Sequence, residues 1–320
     1  MERAFAMDDR GKSSSEDLRR ALVQGDAMLG GIGPILGHLL SAPDHSLFSD
    51  EIVARVRGML ADLARQVLRT QAEATGQRGR DAFADRHGVA LAEHFQASSG
   101  LMLHCHAIAI EWQLTEKLED QLNVDPVLSP LLQRLIADSD GTVSSAAMAA
   151  LAAQARFAQA QRRMELPLGE LPGDLLHELL LAWRRYCGET RSDAVARAES
   201  RLRQSYDESS GRLALFSRLV SNAESTARNG LAIEDAGAAL FLSALAHQSG
   251  QTREMAILST HARQTVRLAL GLRAAGMEAA QIDETLLRLH PAVAPVTGLE
   301  NIDRDTARGM LLASAYQVGR

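Results

Sequence analysis

The residues best placed to do chemistry lie in the first half of the chain, where His104, Cys105 and His106 stand in a row with Glu111 following. Imidazole, thiolate and carboxylate are the donors of zinc sites. On a helix, however, successive side chains diverge by about 100°, so three adjacent donors cannot face one ion. Seven-residue spacing puts His104 and Glu111 on one face, and His87 and His94 on another. A metal site built from His87, His94, His104 and Glu111 therefore requires two helices to converge. The plainer reading is a histidine-rich helix whose imidazoles bond neighbours or solvent.

Other chemical signatures are incomplete. His177-Glu178 starts like a zinc-protease helix, but Leu181 occupies the place of the second histidine. Ser98-Ser99-Gly100 and Gln248-Ser249-Gly250 read as helix ends, not as nucleophile elbows. Cys187 follows Arg184 and Arg185 at a predicted helix C-terminus, where the backbone dipole opposes a thiolate, and both Cys105 and Cys187 read as packed thiols. Gly31-Ile32-Gly33 has neither a preceding strand nor a following Gly-Lys-Ser/Thr, so a phosphate loop is not expected.

Charge offers a further feature. Between positions 156 and 203 arginines outnumber acids: Arg156, Arg162, Arg163, Arg184, Arg185, Arg191, Arg197, Arg201 and Arg203. Several fall in last helical turns, where cations suit the dipole. Arg162 and Arg163 also lead into a Pro-Leu loop able to present them. Arg156, Arg162, Arg163, Arg184 and Arg185 are accordingly the candidate partner-binding residues, toward an acidic or phosphorylated protein.

Helices must position these groups. Ser49-Asp50-Glu51 starts a long helix with Ile52, Val53, Val56, Met59, Leu60, Leu63, Val67 and Leu68 at the helical period, ending at Thr75-Gly76. Residues 76–87 read as a charged loop, with helices over 89–96 and 101–122. Residues 127–187 read as three helices packed face to face. Leu131, Leu132 and Leu135 mark the first, Asp140 or Thr142 caps the second, and Pro172 to Gly188 bounds the third. Ser192 caps a helix to Tyr206, and five more follow at about 213–227, 234–248, 252–274, 278–289 and 303–316. A helix-turn-helix over residues 233–260 would meet DNA with acidic Glu234, Asp235 and Glu254, which disfavours it.

Composition agrees. Of 320 residues 46% are hydrophobic, 23% charged and 4% aromatic, and no alternating β-branched run argues for a sheet. A net charge of −6 excludes a general nucleic-acid binder. Two unpaired cysteines, and the lack of a signal-like or 18-residue apolar run, point to a cytoplasmic protein without a membrane span. Residues 27–40 form an apolar segment broken by four glycines and Pro34, and self-association is one way to cover it.

The segment LLQRLIADSDGTV (131–143), continued by Ala146 to Leu151, resembles a HEAT repeat in its Asp-x-Asp-x-x-Val turn, with Ser144 where such units commonly carry arginine. ARFAQAQRRMELPLGELP (155–172), with Leu175-Leu176-His177, Tyr206-Asp207-Glu208 and residues 239–246, resembles the uncharacterised alphaproteobacterial family known as domain of unknown function 2336. The likeness runs from about residue 101 to 291. It implies an all-helical, HEAT-like body and carries no activity.

These readings give an all-α chain of helical hairpins, stacked as a HEAT-like array or an irregular bundle. A flexible tail over 1–14, an N-terminal helical region over 15–125 and a HEAT-like body over 126–320 are expected. Without a coherent catalytic set, the expected function is a non-enzymatic, cofactor-free module that binds a protein partner. A ligand- or metal-sensing helical protein is the alternative.

Overall fold

The computed structural model describes the backbone of residues 2–41, 49–188 and 193–318, and side chains within 15–37, 49–188 and 193–314. Arg191 and Ser192 lie outside the described residues. Among the described residues the regular structure is helical throughout, as the sequence pattern predicts.

In chain order the helices are α1 (Glu2–Gly30), α2 (Ile32–Ser41), α3 (Asp50–Ala74), α4 (Arg80–Phe95), α5 (Ser99–Leu122), α6 (Pro130–Ile136), α7 (Gly141–Arg162) and α8 (Gly173–Cys187). They continue with α9 (Asp193–Ser205), α10 (Arg212–Asn222), α11 (Glu224–Asn229), α12 (Ile233–Ser249), α13 (Arg253–Ser259), α14 (Thr265–Ala274), α15 (Ala279–Leu289) and α16 (Arg304–Val318). Short 3-10 turns at Leu168–Glu170, Glu208–Ser210, Ala262–Gln264 and Leu299–Asn301 link some of them.

Local chemistry sets many of these boundaries. Ser49 Oγ accepts from Ile52 N at 3.4 Å and Ser129 Oγ from Leu132 N at 3.3 Å, while Asp140 Oδ1 takes Thr142 N at 2.8 Å. Each cap satisfies an amide that the helix leaves without a carbonyl. Gly188 ends α8 with φ 68°, a backbone state open to glycine.

Other boundaries differ from the sequence reading. α1 begins at Glu2, so the helix covers the expected tail. The loop expected over 76–87 shortens because α4 starts at Arg80. The helix expected over 213–227 divides at Ala223, which is extended at φ −142°. The one over 252–274 divides around His261, whose side chain accepts from Arg263 N at 3.3 Å. Within α12 the helical geometry is interrupted at Gly237, at φ 67° and ψ 172°, where a Cβ would stand 3.0 Å from Ser129 Cβ.

The chain forms two compact units, residues 1–31 with 113–138 and 216–320, and residues 32–112 with 139–215. The boundary expected at residue 125 falls inside the first. A continuous run of sequence is not the unit of packing here, because helices distant along the chain share a core. In the first unit α14 packs on α12, α15 and α16, α1 packs on α14 and α16, and α6 packs on α12. In the second, α3 buries Val56, Met59, Leu60, Leu63, Val67 and Leu68 and packs on α4 and α9, and α4 packs on α8. Of the three helices expected to pack face to face, α6 belongs to the first unit and α7 and α8 to the second.

Candidate functional site

The second unit holds a buried charge cluster. Arg212, at the start of α10, is completely excluded from solvent. Its Nη1 meets Glu111 Oε1 at 2.6 Å, its Nη2 meets Glu111 Oε2 at 3.3 Å, and its Nε meets Glu170 Oε2 at 2.8 Å. Gln154 Oε1 stands 3.4 Å from Nη1, and the guanidinium carbon lies 3.6 Å from the centroid of the Phe157 ring. Burial alone would depress the guanidinium, but Glu111 and Glu170 outweigh it and hold its pKa above the ordinary arginine value.

Four elements supply the cluster: α5, α7, the 3-10 turn Leu168–Glu170 and the head of α10. A cleft of about 250 Å³ opens beside it, lined by Arg156, Phe157, Leu168, Glu170, Tyr206, Asp207 and Arg212 among others. Tyr206 donates its hydroxyl to Leu171 O at 2.7 Å. Burial, then the nearby Glu208, Asp174 and Asp207, push its phenol up to about 12, so it stays neutral.

The turn that forms one wall is held by α3. Arg55 Nη1 donates to Gln161 O at 2.9 Å and Gln66 Nε2 to Leu166 O at 2.8 Å, while Asp62 Oδ2 accepts Leu166 N at 3.1 Å and Gln66 Oε1 accepts Leu168 N at 3.0 Å. Gly58 allows this approach, since a Cβ there would lie 2.7 Å from Met164 O. Burial and the neighbouring Glu165 raise the Asp62 carboxyl above its usual range, against the Leu166 amide that stabilises its charge.

The arginines expected to share one partner surface are in several settings. Arg156 is exposed on α7 at the cleft, and Arg162 is exposed at the end of the same helix. Arg163 is exposed and pairs with Glu165 at 2.8 Å. Arg184 is engaged by both oxygens of Glu199, which also takes Arg203 Nε at 3.0 Å. The Arg184 hydrogen bonds hold the Glu199 carboxyl below the usual range against the cost of burial. Arg185 lines a different cleft, with His94, Ser98 and Glu178.

The metal candidates do not converge. His87 Nδ1 lies 3.3 Å from the Tyr186 hydroxyl, and the His94 ring meets the Tyr186 ring edge-on at 5.2 Å between centroids. His94 Nδ1 also bonds Ala90 O at 2.9 Å. His104 is buried in α5, and Glu111 has both oxygens on Arg212. Among the described residues no group of three or more His, Cys, Asp or Glu could hold a metal ion. The helical spacing was right, but the faces that carry the histidines pack against an aromatic residue and the core. Cys105 is buried and its thiol is pushed up to about 12, whereas Cys187 is half-buried.

Two side-chain contacts lie beyond what the sequence pattern shows. Glu178 accepts from Ser98 Oγ at 2.6 Å, a contact 80 residues apart in sequence. Arg212 and its carboxylates are 101 and 42 residues apart, beyond any spacing rule. No helix among the described residues is long and apolar enough to cross a membrane. Compared with family models, curated proteins and solved structures, the chain matches none.

Proposed function

We propose that the chain is a non-enzymatic interaction module that docks an acidic segment of a partner protein on the turn after α7. One observation carries this reading. The turn backbone is fixed by three hydrogen bonds with α3 side chains, a fourth holds Gln161 O in the last turn of α7, and Arg162 and Arg163 at the head of the turn are exposed. A surface already ordered before contact loses little conformational entropy when a partner binds. Arginine's planar fork then engages carboxylates two atoms at a time.

The test places a photo-crosslinking residue at exposed Gln159 and exposes the protein to host extract. The expected result is a discrete crosslinked protein that is lost with Arg162→Glu plus Arg163→Glu and weakened but still present with both changed to lysine, at unchanged helicity. A crosslink indifferent to charge reversal, or none at all, overturns the reading.

Kinship with family 2336, a cytoplasmic location and self-association belong to the same proposal. For self-association the support is exposure: Met28 is 41% and Ile35 42% accessible in the apolar segment. Light scattering that stays monomeric at high concentration would remove that part. The metal-sensing alternative draws no support from the scattered histidines. Ligand sensing draws support from the cleft beside Arg212.

A further inference from the structure

We propose that the cleft beside Arg212 binds a small α-amino acid with an apolar side chain, its ammonium group toward Glu170 and Asp207 and its carboxylate toward Arg156. This inference does not rest on the docking reading: the cleft shares the turn after α7 as a wall, but its ligand meets Arg156, Glu170 and Asp207 and not Arg162 or Arg163.

Size comes first. The cleft offers about 250 Å³ beside the buried cluster and opens to solvent. At about 30 Å³ per water it holds roughly eight waters, enough room for a single small amino acid.

Charge then selects the chemistry. Arg212 is fully buried and bonded to two carboxylates, so with Glu111 and Glu170 ionised the cluster is left with one negative charge. Glu170 lies at the cleft edge of that cluster, oriented by Arg212 Nε. Asp207 adds a second negative group to the lining, and Arg156 adds a cation that has no acidic partner among the described residues. The lining therefore disfavours a lone anion. It suits a cation, and it best suits a zwitterion whose carboxylate has Arg156 to meet.

The remaining lining is apolar. Leu168 is half-buried in the lining and gives an aliphatic side chain an apolar contact, with buried Phe157, Leu176 and Leu202 behind it. Glycine has nothing to place there, which predicts discrimination by side chain as well as by charge.

The experiment is calorimetric titration with four probes: leucine, isoamylamine, 4-methylpentanoate and glycine. Leucine should bind saturably, isoamylamine more weakly, and the other two not at all. Arg156→Ala should weaken leucine by about tenfold or more and leave isoamylamine unchanged, because it removes only a charge-assisted contact. Asp207→Asn should weaken both. Arg156 and Asp207 are exposed, so these variants keep the fold, and circular dichroism checks it. The proposal is overturned if no probe binds saturably at millimolar concentration. It is equally overturned if 4-methylpentanoate binds as well as leucine, or if leucine binding is indifferent to Arg156→Ala.

Discussion

Each of the two compact units buries an arginine completely, and the two are neutralised in different ways. Arg212 is enclosed by Glu111 and Glu170 and stacked on Phe157. Arg267, in the other unit, forms an ion pair with Asp26 and is otherwise met by neutral oxygens, Gln251 Oε1 at 3.0 Å and Ser314 Oγ at 2.8 Å. The outcomes have opposite signs. Two carboxylates hold the Arg212 guanidinium above its ordinary pKa despite burial, while burial pulls Arg267 down to about 10. Both remain cationic near neutrality. What a buried arginine does is decided less by burial than by how many full charges share it.

Unfolding measurements can break that comparison. Arg212→Met leaves two buried carboxylates facing one another, and a loss of about 3–5 kcal/mol is expected in denaturant titration. Replacing Glu111 and Glu170 by leucine in the same chain should recover much of it. Asp26→Asn leaves Arg267 with Gln251 and Ser314, so a smaller loss of about 1–3 kcal/mol is expected. If Asp26→Asn costs as much as Arg212→Met, the contrast fails.

A half-exposed cluster sharpens the same point. Glu199 joins Arg184 and Arg203 with its side chain 11% accessible. Its folded pKa lies below the unfolded value, so its contribution is present above the unfolded pKa and is lost as pH falls through the folded one. Glu199→Gln should cost about 1 kcal/mol at neutral pH, and the gap from the parent protein should close below about pH 4. A gap that widens in acid would reverse the assignment.

The smallest effect comes from backbone entropy. Gly309 lies within α16 with nothing within 4 Å of a built Cβ, so Gly309→Ala should raise stability by about 0.4–1 kcal/mol. Gly58→Ala, which meets Met164 O at 2.7 Å, should instead lower it. Equal thermal shifts of one sign would show that crowding at α3 is relieved by movement of the turn.

Part of this protein was legible residue by residue. The helical class, the start of α3 at Ser49 and the stop of α8 at Gly188 follow from periodicity and capping, and of the two caps the spacing offered for α7, Asp140 or Thr142, the structure uses Asp140. Those are interactions within one or two turns, and neighbours in sequence suffice to define them. The candidate site was legible only in fragments. Arg156 emerged as an exposed cation, but Arg163 and Arg184 found acids that spacing could not assign, and His87 and His94 met Tyr186 instead of a shared ion.

The sequence by itself determined which stretches become helices, which faces they bury and where most of them begin and end. Tertiary structure alone decided which helices share a core, that Glu111 meets Arg212 across 101 residues, and that Asp26 meets Arg267. The physical reason is range. Backbone hydrogen bonds and caps act over a few residues, whereas a buried charge finds its partner only after packing has removed water from both.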